Sequence, residues 1–217
     1  MKALIVGATG LIGNELLQLL ENDKTFTEIE IWVRKTIHFN SNKLKVKITD
    51  FDNLSDLQDF WADVVFCCVG TTIKKAKSKE NFRKVDFDIP VNIAGIVEKA
   101  GIQKYIIVSS VGADKDSDNF YLKTKGLMEE AISQKSIYSV IFMHPSILSG
   151  NRKEFRFGEI IGKYIMQLAG FMLIANLKKY RSIHANTVAK AMIYAAKSDL
   201  YGIHTLEYTE IKKMSNL

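Results

Sequence analysis

Residues Lys2 to Gly13 read KALIVGATGLIG, and no other stretch of the chain limits its fold as strongly. A short apolar run, Ala3 to Val6, meets Gly7, and Gly10 and Gly13 follow at three-residue spacing. A helical pattern then begins, with Leu16, Leu17, Leu19 and Leu20 as its apolar face. Strand, glycine turn and helix in this order suit a dinucleotide pyrophosphate. Gly7 allows the tight turn, Gly10 lets backbone approach phosphate, and Gly13 lets the helix pack closely on the strand. The helix N-terminus offers unpaired N–H groups and a partial positive charge to the anion.

The rest of the chain repeats the alternation of apolar run and helical pattern. Strands are expected at Ala3–Val6, Ile29–Val33, Lys45–Ile48, Val64–Val69, Tyr105–Ser109, Ser139–Phe142 and Ile203–Leu206. Helices are expected at Gly13–Leu20, Leu54–Phe60, Phe87–Ala100, Tyr121–Ser133, Phe157–Ala169 and Ala185–Ala196. Such alternation predicts an α/β protein with right-handed crossovers. The expected fold is a Rossmann-type doubly wound parallel sheet with helices on both faces. One domain over residues 1–217 is expected, with a small substrate lobe within about 145–217. Pro90 falls near a helix start, where proline is tolerated. Pro145 follows the sixth strand at the sheet edge where ligands bind.

Composition limits the function classes. With 47% hydrophobic and 25% charged residues the chain reads as an ordinary globular protein, not a disordered or fibrous one. The net charge of +6 fits an anionic partner such as a phosphorylated cofactor, or a lysine-rich surface. Lys74, Lys75, Lys77 and Lys79 fall in an expected loop and lack the interleaved aromatics of a single-strand nucleic-acid platform, so no nucleic acid is expected. Cys67 and Cys68 are adjacent and are expected as buried, reduced thiols. With no leader pattern in view, a cytoplasmic protein is expected. The four histidines show no metal-ligand spacing, so no metal is expected, and His144 reads first as a hydrogen-bonded structural residue. Tyr164–Leu177 carries no charge, but its fourteen residues fall short of a membrane span. That stretch, with Met166, Phe171 and Met172, reads as core or an oligomer face, and the chain as a monomer or homodimer.

Two further patterns carry chemistry. The second strand runs into Arg34 and Lys35 with no carboxylate at its tip. An acidic residue there serves the ribose hydroxyl of NAD, and an arginine serves the 2′-phosphate of NADP, so NADP(H) is preferred, with NAD(H) as the alternative. Tyr121 and Lys125 lie four residues apart on one helix face. A phenol titrates near pH 10, too high for acid–base work at neutral pH, and a nearby ammonium lowers it. Lowering it by three units needs about 4 kcal/mol, which Lys125 and the nicotinamide charge together would supply. Ser109 and Ser110 end the fifth strand, and alternation turns only one of them to the cleft. Arg152 and Arg156 are candidates for holding an anionic substrate.

These residues resemble the short-chain dehydrogenase/reductase superfamily. More narrowly, they resemble its atypical branch around the Tat-interacting protein and its bacterial relatives. The resemblance runs from GATGLIG at 7–13 to the segment Tyr180 to Met192. It includes Asp50–Phe51, FCCVGTT at Phe66–Thr72, Val85–Asp86, SSVGAD at Ser109–Asp114 and YLKTKG at Tyr121–Gly126. It implies that Gly7, Thr9, Gly10, Leu11, Ile12 and Gly13 form the phosphate turn and that Arg34 and Lys35 hold the 2′-phosphate. Asp50 and Phe51 would lie beside adenine, and Cys68, Val69, Gly70 and Thr71 would line the path to the nicotinamide ribose. Tyr121 would be the acid/base, Lys125 would bind the ribose and tune Tyr121, and Ser110, with Ser109 beside it, would be the catalytic serine. Pro145, Ser146 and Ile147 would sit near the carboxamide.

The chain departs from the superfamily in two places. Only about 70 residues follow Pro145, so the substrate lobe is small. The CCVGTT run replaces the Asn-Ala-Gly motif of the main branch, so an asparagine-based proton relay does not carry over. The expected function is an NADP(H)-dependent oxidoreductase passing hydride between nicotinamide and a small carbonyl or alcohol substrate. The alternatives are a non-catalytic NADP(H)-binding regulatory protein and a sugar-nucleotide epimerase/dehydratase-like enzyme.

Overall fold

The structure, a computed structural model, describes residues 1–37, 41–54, 60–149 and 180–217. The strands, in chain order, are β1 (Lys2–Val6), β2 (Glu28–Val33), β3 (Leu44–Ile48), β4 (Val64–Cys67), β5 (Lys104–Val108), β6 (Ser139–Met143), β7 (Leu148–Ser149), β8 (Ile183–His184) and β9 (Gly202–Leu206). Seven of them form one sheet in the order β3-β2-β1-β4-β5-β6-β9, every pairing parallel. The strand order reverses between β1 and β4. In such sheets the crevice at that switch point, outside the carboxyl ends of the strands, is the ligand site.

Side-chain alternation explains the layers. Ala3 and Ile5 of β1 join Ile29, Ile31, Phe66 and Ile141 on one face of the sheet, while Leu4 and Val6 join Trp32, Val65, Ile107 and Phe142 on the other. Both faces are covered, as a parallel sheet requires. Helices α1 (Leu11–Asn22), α6 (Ala185–Lys197) and α7 (Tyr208–Met214) supply the first layer, with Leu16, Leu17, Leu20, Val188, Met192 and Ile211 buried. Helices α4 (Ile89–Lys99) and α5 (Phe120–Ser133) supply the second through Ile93, Val97, Met128 and Ile132. Each such side chain, fully buried, contributes about 1.5–3 kcal/mol. The doubly wound sheet expected from the sequence is thus present.

Two local features fix the helices that reach the sheet's carboxyl edge. Asn119 caps α5, its Oδ1 accepting from the backbone N–H groups of Tyr121 and Leu122 at 2.9 and 3.1 Å. Helix α4 is the end of a longer run: α3 (Lys79–Arg83) passes through a π-helical turn at Lys84–Asp88 directly into α4. Pro90 gives the reason. It has no N–H to offer the carbonyl four residues back, and its ring crowds that carbonyl, while Ile89 N reaches back five residues to Lys84 O. The wide turn buries Asp86 completely.

The structure corrects several sequence readings. Lys74, Lys75, Lys77 and Lys79 are not in a simple loop. They belong to or flank α2 (Ile73–Ala76) and α3, short helices capped by the hydroxyls of Thr72 and Ser78. Four or five residues are too few to show a helical period. Strand β4 stops at Cys67 and β5 at Val108, short of the expected Val69 and Ser109. The small β7–β8 sheet and α7 were not foreseen. Of the expected C-terminal lobe, β9 joins the main sheet beside β6, and α6 packs on the α1 layer, with Asn186 donating to Glu15 at 2.8 Å. The helix expected over Leu54–Phe60 falls mostly outside the described residues. The helix expected over Phe157–Ala169, the uncharged stretch Tyr164–Leu177, Met166, Phe171, Met172, Arg152 and Arg156 lie entirely outside them.

Candidate active site

The site is assembled where β1, β4 and β5 end. Gly7 leaves β1 with φ +88°, and Gly10 N donates to Gly7 O at 2.9 Å to close the turn. Gly13, in the first turn of α1, packs so closely that a Cβ there would lie 2.2 Å from Gly7 O. The turn aims the N-terminus of α1 across the carboxyl edge of the sheet. Gly10 is its N-cap, no side chain caps it, and no carboxylate stands in its first turn. The N–H groups of that turn and their partial charge are available to an anion.

A cleft of about 80 Å³ opens beside this helix end. Among its lining residues are Leu11 and Ile12 from α1, Cys68 to Thr72 after β4, and Val108 and Ser109 from the end of β5. Tyr121 and Lys125 of α5, Asp86 of the π turn and Leu148 complete it. Nine residues marked from sequence, Leu11, Ile12, Cys68, Val69, Gly70, Thr71, Ser109, Tyr121 and Lys125, therefore share one wall. Cys68 is half-buried and Cys67 fully buried, both as free thiols. Burial pushes both thiols up, which keeps them protonated and weakly nucleophilic.

Ser110 does not line the cleft directly. It is buried, its hydroxyl donates to Val111 O at 3.3 Å, and it stands close enough to Tyr121 to favour the ionised phenol. Ser109 lines the cleft but donates its hydroxyl to Glu129 of α5, and the same Glu129 oxygen lies 2.8 Å from His144 Nε2. Alternation has divided the serine pair between two partners. Pro145, Ser146 and Ile147 follow β6. Pro145 O accepts from Val111 N at 3.2 Å, the Ser146 hydroxyl donates to Arg181 O, and Ile147 O accepts from Ile183 N at 2.9 Å. Arg34 and Lys35 stand exposed at the end of β2, and Asp50 and Phe51 follow β3. These last four lie along the same edge of the sheet but not in the cleft wall.

Electrostatics here differ from the sequence expectation. Lys125 does not face Tyr121 as an unopposed cation, because its Nζ lies 2.8 Å from Asp86 Oδ1 with both side chains buried. Burial pushes the Tyr121 phenol up to about 12, against the opposing pull of Lys125 and with Asp86 adding to the rise. Burial raises the Asp86 carboxyl too, opposed by Lys125. Burial alone would lower the Lys125 ammonium, and Asp86 and then Tyr121 hold it up instead. The expected lowering of the phenol by Lys125 is outweighed by desolvation in the protein alone. Asp86 and Glu129 are the polar residues that sequence reasoning gave no role. Asp86 had one signal, its place in the Val85–Asp86 piece of the resemblance, which carried no role for it.

Comparison with known proteins agrees with this fold. The profile of the NAD dependent epimerase/dehydratase family matches residues 3–203. "Protein FMP52, mitochondrial" of Candida albicans is 33% identical over 160 residues, covering 71% of this chain and 70% of the relative. The protein of the same name from Debaryomyces hansenii is 30% identical over 212 residues, covering 92% and 89%. Among solved structures, MoeE5 in complex with UDP-glucuronic acid and NAD superposes with a TM-score of 0.68 at 16% identity, covering 99% of this chain and 81% of that one. Human epimerase family protein SDR39U1 with NADPH gives 0.62 at 18% identity, covering 97% and 77%. The relatives' names overturn the expectation of a cytoplasmic protein. Reduced thiols suit any reducing compartment, so cysteine usage does not choose among them. No described helix is long and apolar enough to cross a membrane.

Proposed function

The chain belongs to the NAD dependent epimerase/dehydratase family, and from that premise we propose that it is an NADP(H)-dependent oxidoreductase acting on a small carbonyl or alcohol. The observation that carries the reading is one juxtaposition. The Ser110–Tyr121–Lys125 set stands in and behind the wall of the same cleft onto which the uncapped N-terminus of α1 opens. The uncapped turn and the close-packed Gly7 and Gly13 fit a dinucleotide.

In this reading Gly7, Thr9, Gly10, Leu11, Ile12 and Gly13 hold the pyrophosphate. Arg34 and Lys35 hold a 2′-phosphate, and Asp50 and Phe51 flank adenine. Cys68, Val69, Gly70 and Thr71, with Ser109, line the ribose path, and Pro145, Ser146 and Ile147 lie toward the carboxamide. When bound, the nicotinamide supplies or accepts the hydride. Tyr121 exchanges a proton with the substrate oxygen, and the Ser110 hydroxyl beside it favours the ionised phenol. Lys125 places its positive charge beside the phenol and the ribose site. Residues within about 145–217 give a small substrate lobe, and the relatives' names point to a mitochondrial setting. The CCVGTT and SSVGAD motifs support placement in the branch around the Tat-interacting protein.

The family match favours a second reading, an epimerase or dehydratase that oxidises and re-reduces its substrate. Such an enzyme returns its cofactor unchanged, so net NADPH consumption separates the two. The test is turnover of NADPH against a panel of small aldehydes and ketones, with Y121F alongside. The expected loss in Y121F is about a hundredfold or more, the range for removing a general acid. NADPH binding, followed by calorimetry, is expected to survive the substitution. Unchanged turnover in Y121F overturns the oxidoreductase reading. No turnover in either protein, with cofactor-dependent capture of a protein partner, establishes the regulatory alternative.

A further inference from the structure

Asp86 is a carboxylate with no access to solvent, set beside the Tyr121–Lys125 pair. Its Oδ1 lies 2.8 Å from Lys125 Nζ, and the two side chains are 0% and 3% exposed. Its Oδ2 accepts from Thr71 N at 2.9 Å. One side chain therefore joins the π turn, helix α5 and the loop after β4. Gly70, next in that loop, leaves room for it: a Cβ there would come within 3.4 Å of Asp86 Oδ1. Stability does not explain the arrangement well, because desolvating both ions offsets much of their attraction. A buried ion pair in a cleft wall, against a phenol, acts on that phenol's chemistry.

The signs follow from the placement. An unopposed ammonium beside Tyr121 favours phenolate. A carboxylate beside the ammonium cancels part of that field and adds its own, of opposite sign, at the phenol. Among the described residues, the ionisable groups facing Tyr121 are Lys125 and Asp86; those facing Lys125 are Asp86, Tyr121 and, more weakly, Cys67. Glu129, one turn further along α5, is engaged with Ser109 and His144.

We propose that Asp86 is a positioning residue for the acid–base site: it holds Lys125 Nζ and the Thr71 loop in register and offsets the charge that Lys125 presents to Tyr121. The proposal rests on the reading of Tyr121 and Lys125 as acid–base partners. It also gives the π turn a purpose, since a regular helix would not rotate Asp86 in the same way. The asparagine-based relay of the main branch has no counterpart motif here, and Asp86 provides a direct contact to the lysine instead.

The titration itself needs neither substrate nor cofactor. Ultraviolet titration of phenolate, taking each protein minus its Y121F counterpart, isolates Tyr121. In the wild type the phenol is expected to titrate above the usual tyrosine value near 10. In D86N it titrates about one pH unit or more lower, because the carboxylate's own repulsion of phenolate is gone and the Lys125 charge is no longer cancelled. D86S, which leaves room for water against Nζ, serves where D86N does not fold. A folded D86N or D86S whose phenol titrates with the wild type overturns the proposal. If Y121F keeps its turnover while D86N moves the titration, the acid–base reading fails and the Asp86 coupling stands. If Y121F loses turnover and D86N leaves the titration in place, only the Asp86 inference falls.

Discussion

Glu129 Oε1, on the face of α5 that also carries Tyr121 and Lys125, lies 2.8 Å from His144 Nε2 at the end of β6, and it accepts the Ser109 hydroxyl as well. One carboxylate therefore ties the ends of β5 and β6 to the helix that bears the proton-transfer groups. Replacing it with alanine strands two buried polar side chains, since Ser109 and His144 are 4% and 6% exposed. E129A is expected to lose about 1–3 kcal/mol of stability in urea denaturation, the cost of leaving buried groups unsatisfied. E129Q keeps an acceptor and should lose less. Equal losses in the two variants would show that packing, not hydrogen bonding, matters at this position.

Two helical glycines should answer alanine in opposite ways. A Cβ on Gly126 of α5 would lie 2.2 Å from Lys115 N and 2.3 Å from Asp114 C, so the helix and the loop after β5 must separate to admit it. G126A is expected to cost about 1–3 kcal/mol, the usual penalty for overpacking, and to weaken cofactor binding as α5 shifts. Gly95 of α4 has nothing within 4 Å of its Cβ position. G95A should stabilise the protein by about 1 kcal/mol through helix propensity alone. Thermal melts of both variants check the contrast, and a stabilised G126A would contradict the close packing.

The sheet was legible because its central strands β1, β4, β5 and β6 are apolar runs while the outer strands β2, β3 and β9 alternate apolar with polar residues, and β1 with its glycine turn fixes where the chain crosses over. Tyr121 and Lys125 were legible because a spacing of four puts them on one helix face. Other parts were not legible, for physical reasons. Helices α2 and α3 depend on the single hydroxyl caps of Thr72 and Ser78, which a periodicity reading passes over. Asp86 reaches Lys125 only because Pro90 lies beyond a π turn, and a reading in regular helical turns puts it elsewhere. Glu129 meets His144 across a distance in sequence that no local pattern spans. The desolvation that pushes Tyr121 to about 12 depends on burial, and spacing alone does not reveal it.

Arg34 and Lys35 stand exposed past the end of β2. If they hold a 2′-phosphate, R34A should weaken NADPH binding roughly ten- to hundredfold, the value of one or two charge-assisted hydrogen bonds. NADH binding, which lacks that contact, should change little. Calorimetric titration of wild type and R34A with both cofactors gives the comparison. A parallel loss for NADPH and NADH would remove Arg34 from cofactor selection.

Acid sensitivity should be set by carboxylates at the amino edge of the sheet. Lys2 first and Lys45 second hold the Glu28 carboxyl below its usual range, at 2.9 and 3.1 Å. The Ser136 amide first, with Lys135 behind it, does the same for Glu98. A carboxyl whose value is lower in the folded than in the unfolded chain stabilises fully above the unfolded value, near 4.3 for glutamate. That contribution disappears as pH falls through the folded value. Urea midpoints should therefore hold steady from neutrality to about pH 5 and decline toward about pH 3. E28Q and E98Q each remove one titrating group and should make the decline shallower, though both start from a lower midpoint at neutral pH. Both pairs are partly exposed, so added salt should also weaken the wild type's advantage over the variants at neutral pH. An E28Q protein that loses stability with acid as steeply as the wild type would assign the decline to other groups.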